Sequence, residues 1–71
     1  MKIDLQPIKE ELQELAGPEK VKVKFNKSLT SSKGVRITDD GYLCELNPSK
    51  IRSENKLNDC MNFFRQIIIE L

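Results

Sequence analysis

The residue types that carry most catalytic and metal chemistry are scarce in this sequence of 71 residues. It contains no histidine, which excludes histidine-based metal sites, His-dependent nucleophiles and the usual acid–base group at neutral pH. Its two cysteines, Cys44 and Cys60, are too few for a four-ligand zinc site. Its three glycines are scattered and form no phosphate-binding loop. The sequence therefore predicts no catalytic, cofactor-binding or metal-binding residues, and a protein that is not an enzyme.

The basic residues are concentrated in the middle of the chain. Residues 20–36 carry six basic side chains and no acidic one, although the net charge of the whole chain is only +1. Such a segment can attract an anionic partner. The basic residues that could contact nucleic acid lie in this segment and near the start of the last predicted helix: Lys22, Lys24, Arg36, Lys50, Arg52 and Lys56.

Apolar spacing predicts two helices and three strands. Leucine and isoleucine recur at helical spacing before Gly17 and Pro18, which together form a helix stop signal. Strict alternation of apolar and polar residues is typical of half-buried strands, and Asp39-Asp40-Gly41 predicts a tight turn between two of them. The predicted elements are a helix over residues 4–16, strands over 20–26, 34–39 and 42–46, and a helix over 53–70.

These elements predict a single α+β domain over residues 1–71. We expect a helix, a three-stranded antiparallel meander and a second helix, with both helices on one face of the sheet. The predicted core consists of Leu5, Ile8, Leu12, Leu15, Val21, Val23, Phe25, Val35, Ile37, Tyr42, Cys44, Leu46, Leu57, Cys60, Met61, Phe64, Ile67 and Ile68. The other sheet face would display Lys22, Lys24, Arg36, Thr38, Leu43 and Glu45 to solvent.

Leu43 and Ile69 are the apolar residues that the alternation and helix patterns leave unexplained. Leu43 falls among the polar positions of its strand, and Ile69 falls on the polar side of the last helix. An apolar side chain on a polar face can mark a contact with another protein. With the neighbouring Arg65, these two residues are the predicted protein-binding positions.

A family resemblance points to the same region. Its segments are GYLCELNP at residues 41–48, IRSE at 51–54 and RQIIIEL at 65–71. Over residues 35–71 the chain resembles short zincin-type metallopeptidases, including those linked to phage repressors and mobile elements, whose last helix carries H-E-x-x-H. Arg65 and Ile69 stand at the metal-ligand positions and Gln66 at the general-base position, and none of them can do that chemistry. The resemblance implies a degenerate, non-catalytic scaffold that binds protein.

A second likeness supports the alternative function. The order of helix, three strands and helix in about 70 residues is similar to the double-stranded RNA-binding domain, in which lysines at the start of the second helix contact phosphates. Lys50, Arg52 and Lys56 occupy that region here, although Ile51 and Glu54 depart from the pattern.

The favoured hypothesis is thus a small non-enzymatic module that binds another protein, and the alternative is a nucleic-acid-binding module. Two isolated cysteines are typical of a reducing compartment, since small secreted domains usually carry several disulfides. No apolar run approaches the roughly 20 residues needed to span a bilayer. We therefore expect a cytoplasmic protein that has a protein or nucleic-acid partner, no membrane partner and no cofactor.

Overall fold

The computed structural model describes residues 2–70, and the predicted α+β class is confirmed. Its elements follow the predicted sequence order closely. They are α1 (Leu5–Ala16), β1 (Val21–Phe25), β2 (Lys33–Thr38), β3 (Gly41–Leu46), a short 3-10 helix (Pro48–Lys50) and α2 (Glu54–Glu70). In this part of the chain, no helix is both long enough and apolar enough to span a membrane.

Both helices begin at a capping side chain, and α1 ends at a glycine. The Asp4 carboxylate accepts a hydrogen bond from the Gln6 backbone N–H, which satisfies a donor in the first turn of α1. Gly17 ends that helix with a φ of 95°, a conformation that favours glycine. The hydroxyl of Ser53 accepts a hydrogen bond from the Lys56 N–H and caps α2 in the same way as Asp4 caps α1.

The sheet has the order β1-β3-β2, so the predicted antiparallel meander is wrong. β2 and β3 form the expected antiparallel hairpin, with Thr38 opposite Gly41. β1 instead pairs in parallel with β3, from Val21 opposite Tyr42 to Phe25 opposite Leu46. β3 takes the centre because it is the strand whose two faces both carry large side chains that can be buried. The unexplained Leu43 is one of these side chains.

The central position of β3 requires the connection between β1 and β2, residues 26–32, to pass across the end of β3. Asn47, only 1% exposed, holds this connection. Its side-chain amide donates to the carbonyls of Lys27 (3.3 Å) and Leu29 (3.0 Å), and its backbone N–H donates to the carbonyl of Ser32 (2.9 Å). Three carbonyls of the connection are thereby paired with donors from the end of β3.

At the opposite end of β3, Gly41 allows the start of β1 to come close. The Tyr42 N–H donates to the Lys20 carbonyl over 2.6 Å. A Cβ atom on Gly41 would lie 2.8 Å from the Cα of Lys20, and the φ of 138° is itself unfavourable for other residues. Close parallel pairing at this point therefore requires glycine.

One core joins the two helices to one face of the sheet, here called the inner face. The predicted core residues that are buried are Ile8, Leu12, Val21, Cys44, Leu46, Cys60, Met61, Phe64 and Ile68. Those that are half-buried and pack against them are Leu5, Val23, Val35, Tyr42 and Leu57. Ile51 is also buried, but it lies in the link before α2 and has no periodic pattern that could have predicted this.

Four core predictions need correction. Leu15, Phe25 and Ile37 are exposed, and Ile67 is only half-buried. Phe25 and Ile37 do lie on the inner face, but at the ends of edge strands. The helices pack over β1 and β3 and do not extend far enough to cover these ends. Leu15 lies in the last turn of α1, and its side chain is open to solvent there.

We predict that Asn47→Ala lowers the free energy of unfolding by about 2–3 kcal/mol, because the hydrogen bonds of its buried side chain to Lys27, Leu29 and Ser49 are lost. Chemical denaturation measures this change. Asn58→Ala, at an exposed position of α2, is the control and should change the value by no more than about 0.5 kcal/mol. Equal losses in the two variants would contradict the role given to Asn47.

The Cys44 thiol predicts a pH dependence of stability. Its desolvation by burial raises its pKa from 9.0 to about 11. Between these values the unfolded chain loses this proton while the folded chain keeps it, so the free energy of unfolding falls. This part of the stability is fully present below pH 9, and about 2–3 kcal/mol of it is lost by pH 11. Cys44→Ala should lack this part of the alkaline decline in denaturation midpoints, and an unchanged decline would contradict the assignment.

Candidate functional site

Acidic side chains and two thiols are potential metal ligands in the described part of the chain. No group of three or more histidine, cysteine, aspartate or glutamate side chains in residues 2–70 could hold a metal ion. Cys44 and Cys60 are both free and buried. The raised pKa of the Cys44 thiol keeps it protonated at neutral pH, and a thiol is a much weaker nucleophile than a thiolate. The Cys60 Sγ lies 3.7 Å from the Ser32 Oγ, a weak hydrogen bond within the core.

The predicted nucleic-acid-binding residues fall into two groups. Lys22, Lys24 and Arg36 are exposed and share the outer face of the sheet, where Leu43 lies between Lys22 and Arg36. The second group lies on the segments that follow β3. Lys50 donates to the Thr30 carbonyl (2.9 Å), Arg52 lies in the link, and Lys56 is in the first turn of α2.

Glu45 lies within the first group and lowers its positive potential. It was expected to be exposed, but it is only 2% exposed because its strand is central and long side chains cover it from both sides. Its carboxylate lies 3.3 Å from the Arg36 Nε and 4.0 Å from the Lys24 Nζ, and it accepts a hydrogen bond from the Asn26 amide (2.7 Å). One negative charge is therefore shared between two cations, and the face keeps only part of its apparent charge.

A shallow cleft of about 220 Å³ lies on the outer face, near the β2–β3 turn. Lys20 and Lys22 line it together with Glu19 and Asp40, while Leu43 and Tyr42 contribute apolar surface. Two basic and two acidic side chains line the cleft, so its charge favours neither an anion nor a cation.

The three predicted protein-binding residues do not form one surface. Arg65 makes an ion pair with Glu11, with Nη2 and Nε lying 2.6 and 2.7 Å from the same carboxylate oxygen. This pair joins α2 to α1. Ile69, 67% exposed, lies one turn further along α2, whereas Leu43 lies on the outer face of the sheet, away from both helices. Gln66, at the general-base position of the metallopeptidase resemblance, is exposed.

A different apolar surface lies on the other flank of α2, next to β2. Two contacts fix its alignment: Cys60 touches Ser32, and the Lys33 ammonium lies 5.2 Å from the centre of the Phe63 ring. The two elements therefore run in the same direction. We call the apolar residues beyond these contacts the β2–α2 strip, which consists of Val35, Ile37, Phe63 and Ile67.

The strip is incompletely covered in this chain. Ile37 is 65% exposed, and Val35, Phe63 and Ile67 are half-buried. The sequence patterns missed it because Val35, Ile37 and Ile67 fit the predicted core, and Phe63 fits neither face of the helix clearly. Only the strand order shows that β2 is an edge strand with apolar residues beside its open side.

Comparisons with protein-family models, with curated proteins and with solved structures gave no match to this chain. The resemblances to degenerate metallopeptidases and to double-stranded RNA-binding domains therefore stay predictions. The function has to be argued from the surfaces described above.

Proposed function

We propose that this chain is a non-enzymatic module that binds another protein through the β2–α2 strip. The observation that carries the proposal is the exposure of Ile37 on an edge strand, together with the incomplete burial of Val35 on the same strand face and of Phe63 and Ile67 on α2. A domain this small has few apolar side chains to bury, and leaving a large one in water forgoes part of that stabilisation. A partner that covers the strip would remove this apolar surface from water and so recover that stabilisation.

The strip also has the composition of a binding surface. Phe63 supplies an aromatic ring that packs in an edge-to-face arrangement with Phe64 of the core, at a centroid distance of 6.0 Å, so the core supports its position. Lys33 lies over the same ring and forms a polar rim. Supported aromatic and aliphatic residues with a charged rim are typical of the residues that contribute most to protein–protein affinity.

Nucleic-acid binding through the outer face is the second candidate. Lys22, Lys24 and Arg36 share that face, which favours contacts with phosphates. However, Glu45 offsets part of their charge. Phe25, an exposed aromatic ring, lies on the inner face of β1, where it cannot stack a base beside these cations. We therefore rank this function below protein binding.

Binding through Leu43, Arg65 and Ile69 stays a separate proposal, as does the degenerate metallopeptidase scaffold. Arg65 is already engaged by Glu11, so a partner would have to replace that ion pair or use its exposed side. Ile69 remains open to solvent. The effect of substituting Ile69 on partner binding can be compared directly with the effect of substituting a residue of the strip.

We predict that Ile37→Glu weakens capture of the partner at least about tenfold, the effect expected when an apolar contact residue is replaced by a charge. The experiment immobilises the chain, captures proteins from lysate of its source cell and then measures the affinity of the purified partner. Leu15→Glu is the matched control, since Leu15 is an exposed apolar residue outside the strip.

Further variants separate the rival surfaces. Ile69→Glu tests the other flank of α2, and the double change Lys22→Glu/Lys24→Glu tests the outer face. Partner binding that survives Ile37→Glu but is lost with Ile69→Glu would contradict the assignment to the strip. Capture that disappears after nuclease treatment, or with the double lysine change alone, would favour nucleic acid instead. Circular dichroism of each variant verifies that it is folded.

A further inference from the structure

We propose that the partner contributes an extended acidic segment that pairs with the open edge of β2 as a fourth strand. This inference rests on the proposed function and specifies how the strip is used. It follows from the directions of the backbone groups of β2, from the side chains beside them and from the charges along this edge.

The hydrogen bonds of β3 determine which groups of β2 are free. The Tyr42 N–H donates to the Lys20 carbonyl, and the Leu46 carbonyl accepts from the Asn26 N–H, so these positions of β3 face β1. The intervening positions of β3 therefore bond to their partners in β2, which are Gly34, Arg36 and Thr38. The N–H and C=O groups of Val35 and Ile37 must then point away from the sheet.

The open edge begins at Val35. The Ser31 hydroxyl donates to the Lys33 carbonyl (2.7 Å). This carbonyl, which precedes Val35 along the open edge, is therefore already hydrogen-bonded within the chain. From Val35 onwards, no strand among residues 2–70 pairs with the edge of β2 that points away from β3. Val35 and Ile37 also turn their side chains to the inner face, into the β2–α2 strip. An added strand would bond to their peptide groups and cover the strip with its own alternate side chains.

Charge complementarity selects the kind of strand. β2 carries Lys33 and Arg36 and no carboxylate, and the buried Glu45 carboxylate, 3.3 Å from Arg36, is shared with Lys24 and offsets only part of this charge. A second copy of this chain, pairing β2 with β2, would bring these cations together. Such repulsion discourages self-pairing of the edge. A segment that alternates apolar residues, towards the strip, with acidic residues, towards Arg36, meets both requirements.

The test uses a capped synthetic peptide of alternating valine and glutamate, with a valine and lysine peptide of equal length as the matched control. Isotope-labelled protein is titrated with each peptide, and amide hydrogen exchange is measured residue by residue. We expect the acidic peptide to slow exchange at Val35 and Ile37 at least about tenfold, since new backbone hydrogen bonds protect these amides. The lysine peptide should have no such effect.

Substitutions at Val35 isolate the backbone contribution. Val35→Pro removes the outward N–H without removing a hydrogen bond to β3, and Gly34 before it tolerates the restriction that proline imposes. Val35→Ala removes the side chain but keeps the N–H. Val35→Pro should bind the acidic peptide about fivefold more weakly than Val35→Ala, the factor expected from one net hydrogen bond. If Val35→Pro fails to fold, the exchange measurement on the unaltered protein decides.

Three results would overturn the inference: acidic peptide binding with unchanged exchange at Val35 and Ile37, equal binding of the two peptides, and no binding of the acidic peptide. A single-stranded RNA oligonucleotide that protects the same two amides in place of the peptide would overturn it as well. The Ile37→Glu capture experiment decides the proposed function separately. A partner lost with Ile37→Glu that leaves these amides unprotected would support protein binding and exclude strand addition.

Discussion

The crossing of residues 26–32 over the end of β3 is the constraint on which the rest of this structure depends. A tight turn after β1 would have paired β1 with β2 and given a meander. Instead, the connection passes the end of β3, and the buried side chain of Asn47 holds the carbonyls of Lys27 and Leu29. A single asparagine can do this because its amide donates two hydrogen bonds while its oxygen still accepts one, here from the Ser49 N–H.

The environment of both sheet faces follows from that crossing. With β3 central, Glu45 is covered by neighbours on both sides and becomes a buried carboxylate paired with Lys24 and Arg36. Leu43 is half-buried for the same reason, since Lys22 and Arg36 lie on either side of it. The basic face is thus partly neutralised by its own central strand. A buried charge without such partners would be strongly unfavourable.

The helix layer is narrower than the sheet, and this mismatch creates the β2–α2 strip. The ion pair between Glu11 and Arg65 joins α1 to α2, and the two helices cover β1 and β3. β2 lies beyond them, with Ile37 exposed and Phe63 and Ile67 turned towards it from α2. The edge of β2 is therefore both unpaired and next to uncovered apolar surface, which is why strand addition is the binding mode that we infer.

The sequence by itself determined the elements and their ends, because those depend on local chemistry. The Gly17 stop and the spacing of Ile8, Leu12, Cys60 and Phe64 are short-range features, and each acts in the structure as predicted. The tertiary structure decided the strand order. Alternation in β1 and β2 is the same whether they are neighbours or the two edges, so no pattern distinguishes a meander from a mixed sheet. The burial of Glu45, the exposure of Ile37 and the position of the strip all depend on that order, since each is set by contacts between residues far apart in the chain.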